Sequence, residues 1–115
     1  MSLYLGIDLG TQSLKCLIYD SEAQCVLARS AHPCAPPMTP RPGSAEQDPA
    51  DWWQAFESAM HSVLENEKVD IARIRAIGVS GQQHGMVALD ESGQVIRPAK
   101  LWCDVEAAAE AEILS

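Results

Sequence analysis

An α/β fold that opens on an antiparallel three-strand meander is what the sequence predicts, and three observations carry that prediction. Short apolar runs, Leu3 to Ile7, Leu14 to Tyr19 and Cys25 to Ala28, follow one another with only brief polar joints, the pattern of consecutive antiparallel strands. After Asp48-Pro49, apolar residues recur at three- and four-residue spacing, the period of a helix. A further apolar run, Ile74 to Ser80, then delivers the chain into the loop Gly81-Gln82-Gln83-His84-Gly85. A strand end followed by a glycine-bracketed polar loop is a frequent ligand-binding position in α/β folds.

The first two strands meet at Asp8-Leu9-Gly10-Thr11-Gln12-Ser13. Two readings of this turn stand side by side. Asp and Gly are ordinary turn residues that close a hairpin. Successive backbone N–H groups in a tight turn also form a concavity for anions, and a glycine lets the backbone approach a ligand closely. An aspartate beside a phosphate calls for a cation between them, and Mg²⁺ is held by one or two carboxylates with phosphate and water. Along the second strand Leu14, Cys16 and Ile18 share one face, and Lys15, Leu17 and Tyr19 the other. Lys15, next to the turn, is either a solvated strand-end lysine or a reach toward phosphate. Asp20 and Glu22 read as solvated turn residues.

Pro33, Pro36, Pro37, Pro40 and Pro42 crowd the stretch from His32 to Gly43, which excludes helix and sheet interior and predicts an extended loop with an exposed His32. Asp48 caps the next helix and Pro49 suits its first position, with Asp51 favourable against the helix dipole. Trp53, Phe56, Met60, Val63 and Leu64 form its expected buried stripe, with Trp52 beside the stripe and His61 in solvent. The helix is expected to end near Asn66. Asp70 to Arg73 predicts a short turn of helix, Met86 to Leu89 and Val95-Ile96 short strands around the turn Asp90–Gly93, and Val105 to Leu114 a second helix capped by Asp104. Gln82, Gln83 and His84 can read hydroxyl groups directionally, although a lone histidine is equally a satisfied structural residue. Trp102 reads as core or pocket wall.

The 115 residues suffice for one core. The net charge of −8 disfavours a nucleic-acid partner. No apolar run approaches the ~20 residues of a membrane span, and no secretory leader is recognisable. Cys16, Cys25, Cys34 and Cys103 show no C-x-x-C or zinc spacing and read as reduced thiols of a cytoplasmic protein.

The hairpin Gly6-Ile7-Asp8-Leu9-Gly10-Thr11, the run Ala45-Glu46-Gln47-Asp48-Pro49-Ala50-Asp51-Trp52-Trp53, the loop Gly81–Gly85 and Leu101-Trp102-Cys103-Asp104 occur in this order. Together they closely resemble the start of the xylulokinase-like branch of the FGGY family of carbohydrate kinases. The resemblance covers essentially the whole chain. Its hairpin alone is shared with actin, heat-shock chaperones and hexokinases. The resemblance implies a ribonuclease-H-like, actin-like ATPase N-terminal half-domain, with residues 1–115 as the N-terminal part of the first kinase domain. It implies γ-phosphoryl transfer from ATP, with Mg²⁺, to a small-molecule ketopentose, D-xylulose giving D-xylulose 5-phosphate. A kinase for ribulose or another ketose or polyol, and a non-catalytic nucleotide- or sugar-binding regulator, are the alternatives. By the resemblance Asp8 lies near Mg²⁺ and the phosphates. Gly10, Thr11, Gln12, Ser13 and Lys15 approach ATP, and Gln83, His84 and Asp104 belong to the sugar site. The sequence departs from the common pattern at Ser44, Gln83 and Cys103, positions that bear on sugar choice. The catalytic base is expected outside these residues, so the chain alone is expected to be inactive and, through apolar surface left open, to pair as a homodimer.

Overall fold

The computed structural model of the chain describes residues 2–115. The meander is formed by β1 (Leu3–Leu9), β2 (Ser13–Asp20) and β3 (Cys25–Pro33). β1 pairs antiparallel with β2, Leu9 facing Leu14 and Asp8 facing Lys15. β2 pairs antiparallel with β3. The helix α1 (Pro49–Leu64) then carries the chain across to β5 (Ile74–Ser80). β5 pairs parallel with β1, Gly6 facing Gly78 and Asp8 facing Ser80. The sheet order is β3-β2-β1-β5. A second, two-stranded sheet joins β4 (Glu46–Gln47) to β6 (Ala99–Lys100), and α2 (Ala108–Leu114) ends the chain. No helix among the described residues is long and apolar enough to cross a membrane.

Strand alternation decides the core. Leu3 and Leu5 from β1 and Leu14, Cys16 and Ile18 from β2 are buried against Ala55, Ala59 and Val63 of α1. Lys15, Leu17 and Tyr19 occupy the opposite, uncovered face. The strand predictions for β1, β2 and β5 therefore hold, with β1 continuing through Asp8 to Leu9.

Expectations are corrected at four places along the chain's elements, and at Asp20. β3 runs on to Pro33, so His32 pairs with Leu14 in a strand and not in a loop. Proline is tolerated there because β3 is an edge strand. Of the stripe expected on α1, Val63 is buried and Phe56 and Met60 pack against the core, but Ala55 and Ala59 complete the buried line and Trp53 is 61% exposed and Leu64 38%. Trp53 instead stacks at a tilt on Phe56 with ring centroids 5.3 Å apart and donates to Glu57 Oε1 at 3.0 Å. Met86, Leu89 and Val95 make only isolated bridges, Met86 with Lys100 and Leu89 with Val95. Finally, α2 starts at Ala108 with Ala107 before it and no side-chain cap, because Asp104 is committed elsewhere.

The α1 cap is as expected: Asp48 accepts from the Ala50 N–H at 2.9 Å, with Pro49 in the first position. The helix ends at Leu64. Asn66 follows, its side-chain amide donating to the Leu27 carbonyl at 3.0 Å and its oxygen accepting from Lys68 N–H at 2.9 Å. Asp20, 1% exposed, is not solvated. Its Oδ1 accepts from Glu22 and Ala23 N–H groups and closes the β2–β3 turn. The four cysteines are free thiols, and burial pushes the Cys16 thiol up.

Candidate functional site

The parallel pairing of β5 with β1 brings two chain ends to one edge of the sheet. The turn after β1 and the loop after β5 leave adjacent strands, Asp8 standing beside Ser80. Between them lies a cavity of about 430 Å³ lined by Asp8, Leu9, Gly10, Thr11, Gly81, Gln82, Gln83, His84 and Trp102. On the other side of the turn a cavity of about 540 Å³ is lined by Asp8, Gly10, Thr11, Gln12, Ser13, Lys15, Pro37 and Trp102. Asp8, Gly10, Thr11 and Trp102 belong to both walls. The hairpin tip is thus a divide with the amide-imidazole loop on one side and the hydroxyl-lysine turn on the other.

The tip is tightly built. Gly10 N–H donates to the Ser13 carbonyl at 3.0 Å, and a Cβ at Gly10 would come within 3.3 Å of that same oxygen. Cys34 N–H donates to the Gln12 carbonyl at 2.9 Å and ties the turn to the end of β3. The Asp8 carboxylate is exposed and makes no hydrogen bond or ion pair with a described residue. A free carboxylate beside free turn N–H groups fits a hydrated cation carrying phosphate. His84 sits in the left-handed region with φ of 56°, a backbone state that costs a non-glycine residue about 1–2 kcal/mol. His84 is exposed and stands in the loop bracketed by Gly81 and Gly85.

A hydrogen-bond network joins the two sides. Thr11 Oγ1 donates to Gln82 Oε1 at 3.2 Å and accepts from Trp102 Nε1 at 3.3 Å. Gln82 Nε2 donates to Gln47 Oε1 at 3.0 Å, and Gln47 Nε2 returns to the Thr11 carbonyl at 3.0 Å. The roles of Gln47 and Gln82 in this network are absent from the sequence reading. Gln47 stands just before the Asp48 cap and offers no periodicity or motif spacing of its own. Its one sequence signal is an amide in the run Glu46-Gln47-Asp48-Pro49.

Asp104 lies outside both cavity walls. Its Oδ2 accepts from Ala45 N–H at 2.8 Å and Lys100 Nζ at 3.0 Å, and its Oδ1 from Glu106 N–H at 3.1 Å. It belongs to an ionic cluster in which Glu46 Oε1 meets Arg41, Arg97 and Lys100 at 2.9, 2.6 and 3.1 Å. Glu106 meets Arg41 and Lys100 in the same cluster. The Ala45 N–H and then the Lys100 ammonium hold Asp104 at about 2. Arg41 and then Lys100 hold Glu106 at about 2 as well. Lys100 chiefly keeps Glu46 below its ordinary value. The oxygens of Glu46, Asp104 and Glu106 come within 4.8 Å of one another, but their charge is met by arginine and lysine. The cluster therefore locks the β4–β6 sheet and the Trp102 segment. Ser44, 4% exposed, donates to the Arg41 carbonyl at 2.6 Å and closes the turn that presents Arg41.

Comparison with known proteins gives the family of the chain. Residues 3–115 match the family described as FGGY family of carbohydrate kinases, N-terminal domain. A xylulose kinase of Escherichia coli is 36% identical over 112 residues, which are 97% of this chain and 22% of that protein. A xylulose kinase sequence from Arthrobacter sp. is 42% identical over 104 residues, 90% of this chain and 96% of that sequence. The crystal structure of "a xyloylose kinase from Brucella ovis" superposes with a TM-score of 0.89 at 38% identity, covering 97% of this chain and 23% of that one. The chain thus spans about a fifth of the length of most relatives it matches.

Proposed function

The chain belongs to the FGGY family of carbohydrate kinases, and from that membership we propose that it forms one wall of the active site of an ATP-dependent ketopentose kinase. Its fold is the α/β half-domain of the actin-like ATPases, and the family implies ATP use. D-Xylulose, giving D-xylulose 5-phosphate, is the substrate we assign, since the similar proteins are xylulose kinases. The observation that carries the reading is the divided cleft, with the hydroxyl-lysine turn and the amide-imidazole loop facing away from a shared Asp8 and Thr11.

On this reading Gly10, Thr11, Gln12, Ser13 and Lys15 receive the phosphates, and Gln83 and His84 read the sugar hydroxyls. Mg²⁺, held through Asp8, would neutralise charge between carboxylate and phosphate. Asp104 serves the sugar site indirectly, by fixing the Trp102 wall through Ala45 and Lys100. Phosphoryl transfer rests on positioning and on charge stabilisation around the transferred group. The acidic side chains near this cleft amount to Asp8 alone among its wall residues, so the base acting on the sugar hydroxyl is assigned to chain beyond these residues. The free edge and open apolar face of β5, with Ile77 and Val79 60% and 70% exposed, support pairing of two isolated copies. Coupled ADP release with D-xylulose is the test. The complete kinase carrying residues 1–115 is expected to turn over and the purified chain is not. Turnover by the chain alone refutes the one-wall reading, and a complete protein without sugar-dependent ADP release refutes the kinase reading.

A further inference from the structure

Gln47 is 2% exposed, and its side chain is bonded at every position an amide offers. Nε2 donates to the carbonyls of Thr11 at 3.0 Å and Ala35 at 2.9 Å. Oε1 accepts from Trp52 Nε1 and Gln82 Nε2, each at 3.0 Å. The amide orientation is fixed by chemistry, because carbonyls only accept and an indole N–H only donates. The partners come from four separate parts of the chain: the hairpin turn, the proline-rich stretch, the first turn of α1 and the loop after β5. With the Thr11 hydroxyl donating to Gln82 Oε1, Thr11, Gln47 and Gln82 close a directional ring.

That ring has a consequence for the turn. The Thr11 carbonyl and the Gln12 N–H lie on opposite sides of one planar trans peptide. Drawing the carbonyl onto Gln47 therefore turns the Gln12 N–H away from the buried amide, and that N–H has no protein acceptor among the described residues. We propose that Gln47 is the positioning residue that sets the hairpin turn against the Gln82–His84 loop, so that phosphate and acceptor hydroxyl are held at reacting distance. The inference rests on the kinase reading of the cleft. Neither glutamate nor methionine can replace the amide. Glutamate would set acceptors against the Thr11 and Ala35 carbonyls, and methionine fills the space without bonds.

The test uses the complete kinase with Gln47→Met, Gln82→Met and the double variant, each measured per folded molecule. Gln47→Met is expected to lower kcat about 10–100-fold, the scale of a small misplacement of reacting groups, with D-xylulose and ATP affinities changed less than about threefold. The double variant is expected to lose no more than the worse single one, because both break the same ring. An unchanged kcat per folded molecule, or single losses that multiply in the double variant, overturns the proposal. If Gln47→Met fails to fold, Gln82→Met alone decides by the same kcat criterion. A wild type without activity sinks the kinase reading, and the ring is then judged by NMR of the 115-residue chain. Gln47→Met should shift the Trp102 indole N–H, whose acceptor Thr11 Oγ1 is a member of the ring. An unmoved Trp102 signal overturns the ring itself.

Discussion

At the scale of single residues, Asp8 stands on the divide itself and His84 on one side of it, and they carry different burdens. Asp8 is an exposed carboxylate without a partner among the described residues, so its charge is available to a cation. Asp8→Asn keeps the shape and removes the charge. It is expected to lower kcat of the complete kinase roughly 100-fold or more, the scale of a lost preorganised charge contact, with D-xylulose affinity little changed by calorimetry. His84→Ala is expected to act the other way, weakening sugar binding by about 1 kcal/mol for a lost hydrogen bond, some fivefold to tenfold in Kd, with a smaller effect on kcat. Equal loss in both parameters for both variants would remove the division of labour. The candidate residues of the turn and of the Gln83-His84 loop were legible because glycines and polar side chains cluster locally there. Gln47 was not, because its partners lie 5 to 36 residues away and only folding assembles them.

At the scale of elements, α1 shows where reading by period stops. The helix, its Asp48 cap and its Pro49 start are all visible in the chain, because capping is local chemistry. Val63, Phe56 and Met60 of the expected stripe do meet the core, but the alanines that complete the buried face are not visible to a reading that follows the large apolar residues. α1 lies on β2 and β3 through Ala55, Ala59 and Val63, and small residues let helix and sheet approach closely. Ser30 Oγ even reaches the Ala59 carbonyl at 2.7 Å, a contact that leaves no room for a bulky side chain nearby. Trp53 is thereby rotated outward. Ala59→Leu is expected to destabilise by about 1–3 kcal/mol through overpacking. Trp53→Ala, though a far larger deletion, is expected to cost less than about 1 kcal/mol beyond its contact with Phe56. Denaturant midpoints of the two variants decide the order. β3 carries a similar lesson: its prolines marked an end to regular structure, yet an edge strand accepts the first of them.

At the scale of the whole molecule, the meander and the β5 strand followed from patterning, whereas the ionic cluster could not. It gathers Arg41, Glu46, Arg97, Lys100, Asp104 and Glu106 from three segments, and none of these charges stands out in a chain with 24 of them. The cluster gives the molecule a definite acid response. Asp104 and Glu106 lie at about 2 when folded and near 4 when unfolded. Depressed carboxylates stabilise the fold above the unfolded value, and that stabilisation disappears as pH falls from about 4 toward 2. Carboxyl titration by NMR should therefore place both midpoints near the lower bound. Lys100→Met should move both upward and should lower the thermal midpoint more at pH 6 than at pH 2. Midpoints left in place by Lys100→Met would show that lysine does not hold the cluster. The chain is also more open than its length requires, with a radius of gyration of 17.5 Å against about 13 Å for a compact domain of this size. Ile77 and Val79 on β5 and Ile113 and Leu114 on α2 are among the apolar groups left uncovered.

The position of β5 at the rim of the sheet also sets an order of events in time. β1, β2 and β3 join neighbours in the chain through short turns, so their pairing closes small loops and is fast. β5 must wait for α1 to be laid across before it finds β1, more than 60 residues back. On a ribosome the meander can therefore form while β5 is still being made. When β5 docks, its outer edge stays unpaired among the described residues, the kind of edge that recruits other chains. Pulse-labelled hydrogen exchange during refolding should protect the β1–β2 amides before those of β5. Simultaneous protection would mean that the crossover, and not the hairpin, nucleates the fold. The strand that leads into the Gln82–His84 loop is thus also the stage at which newly made chains are most exposed to one another.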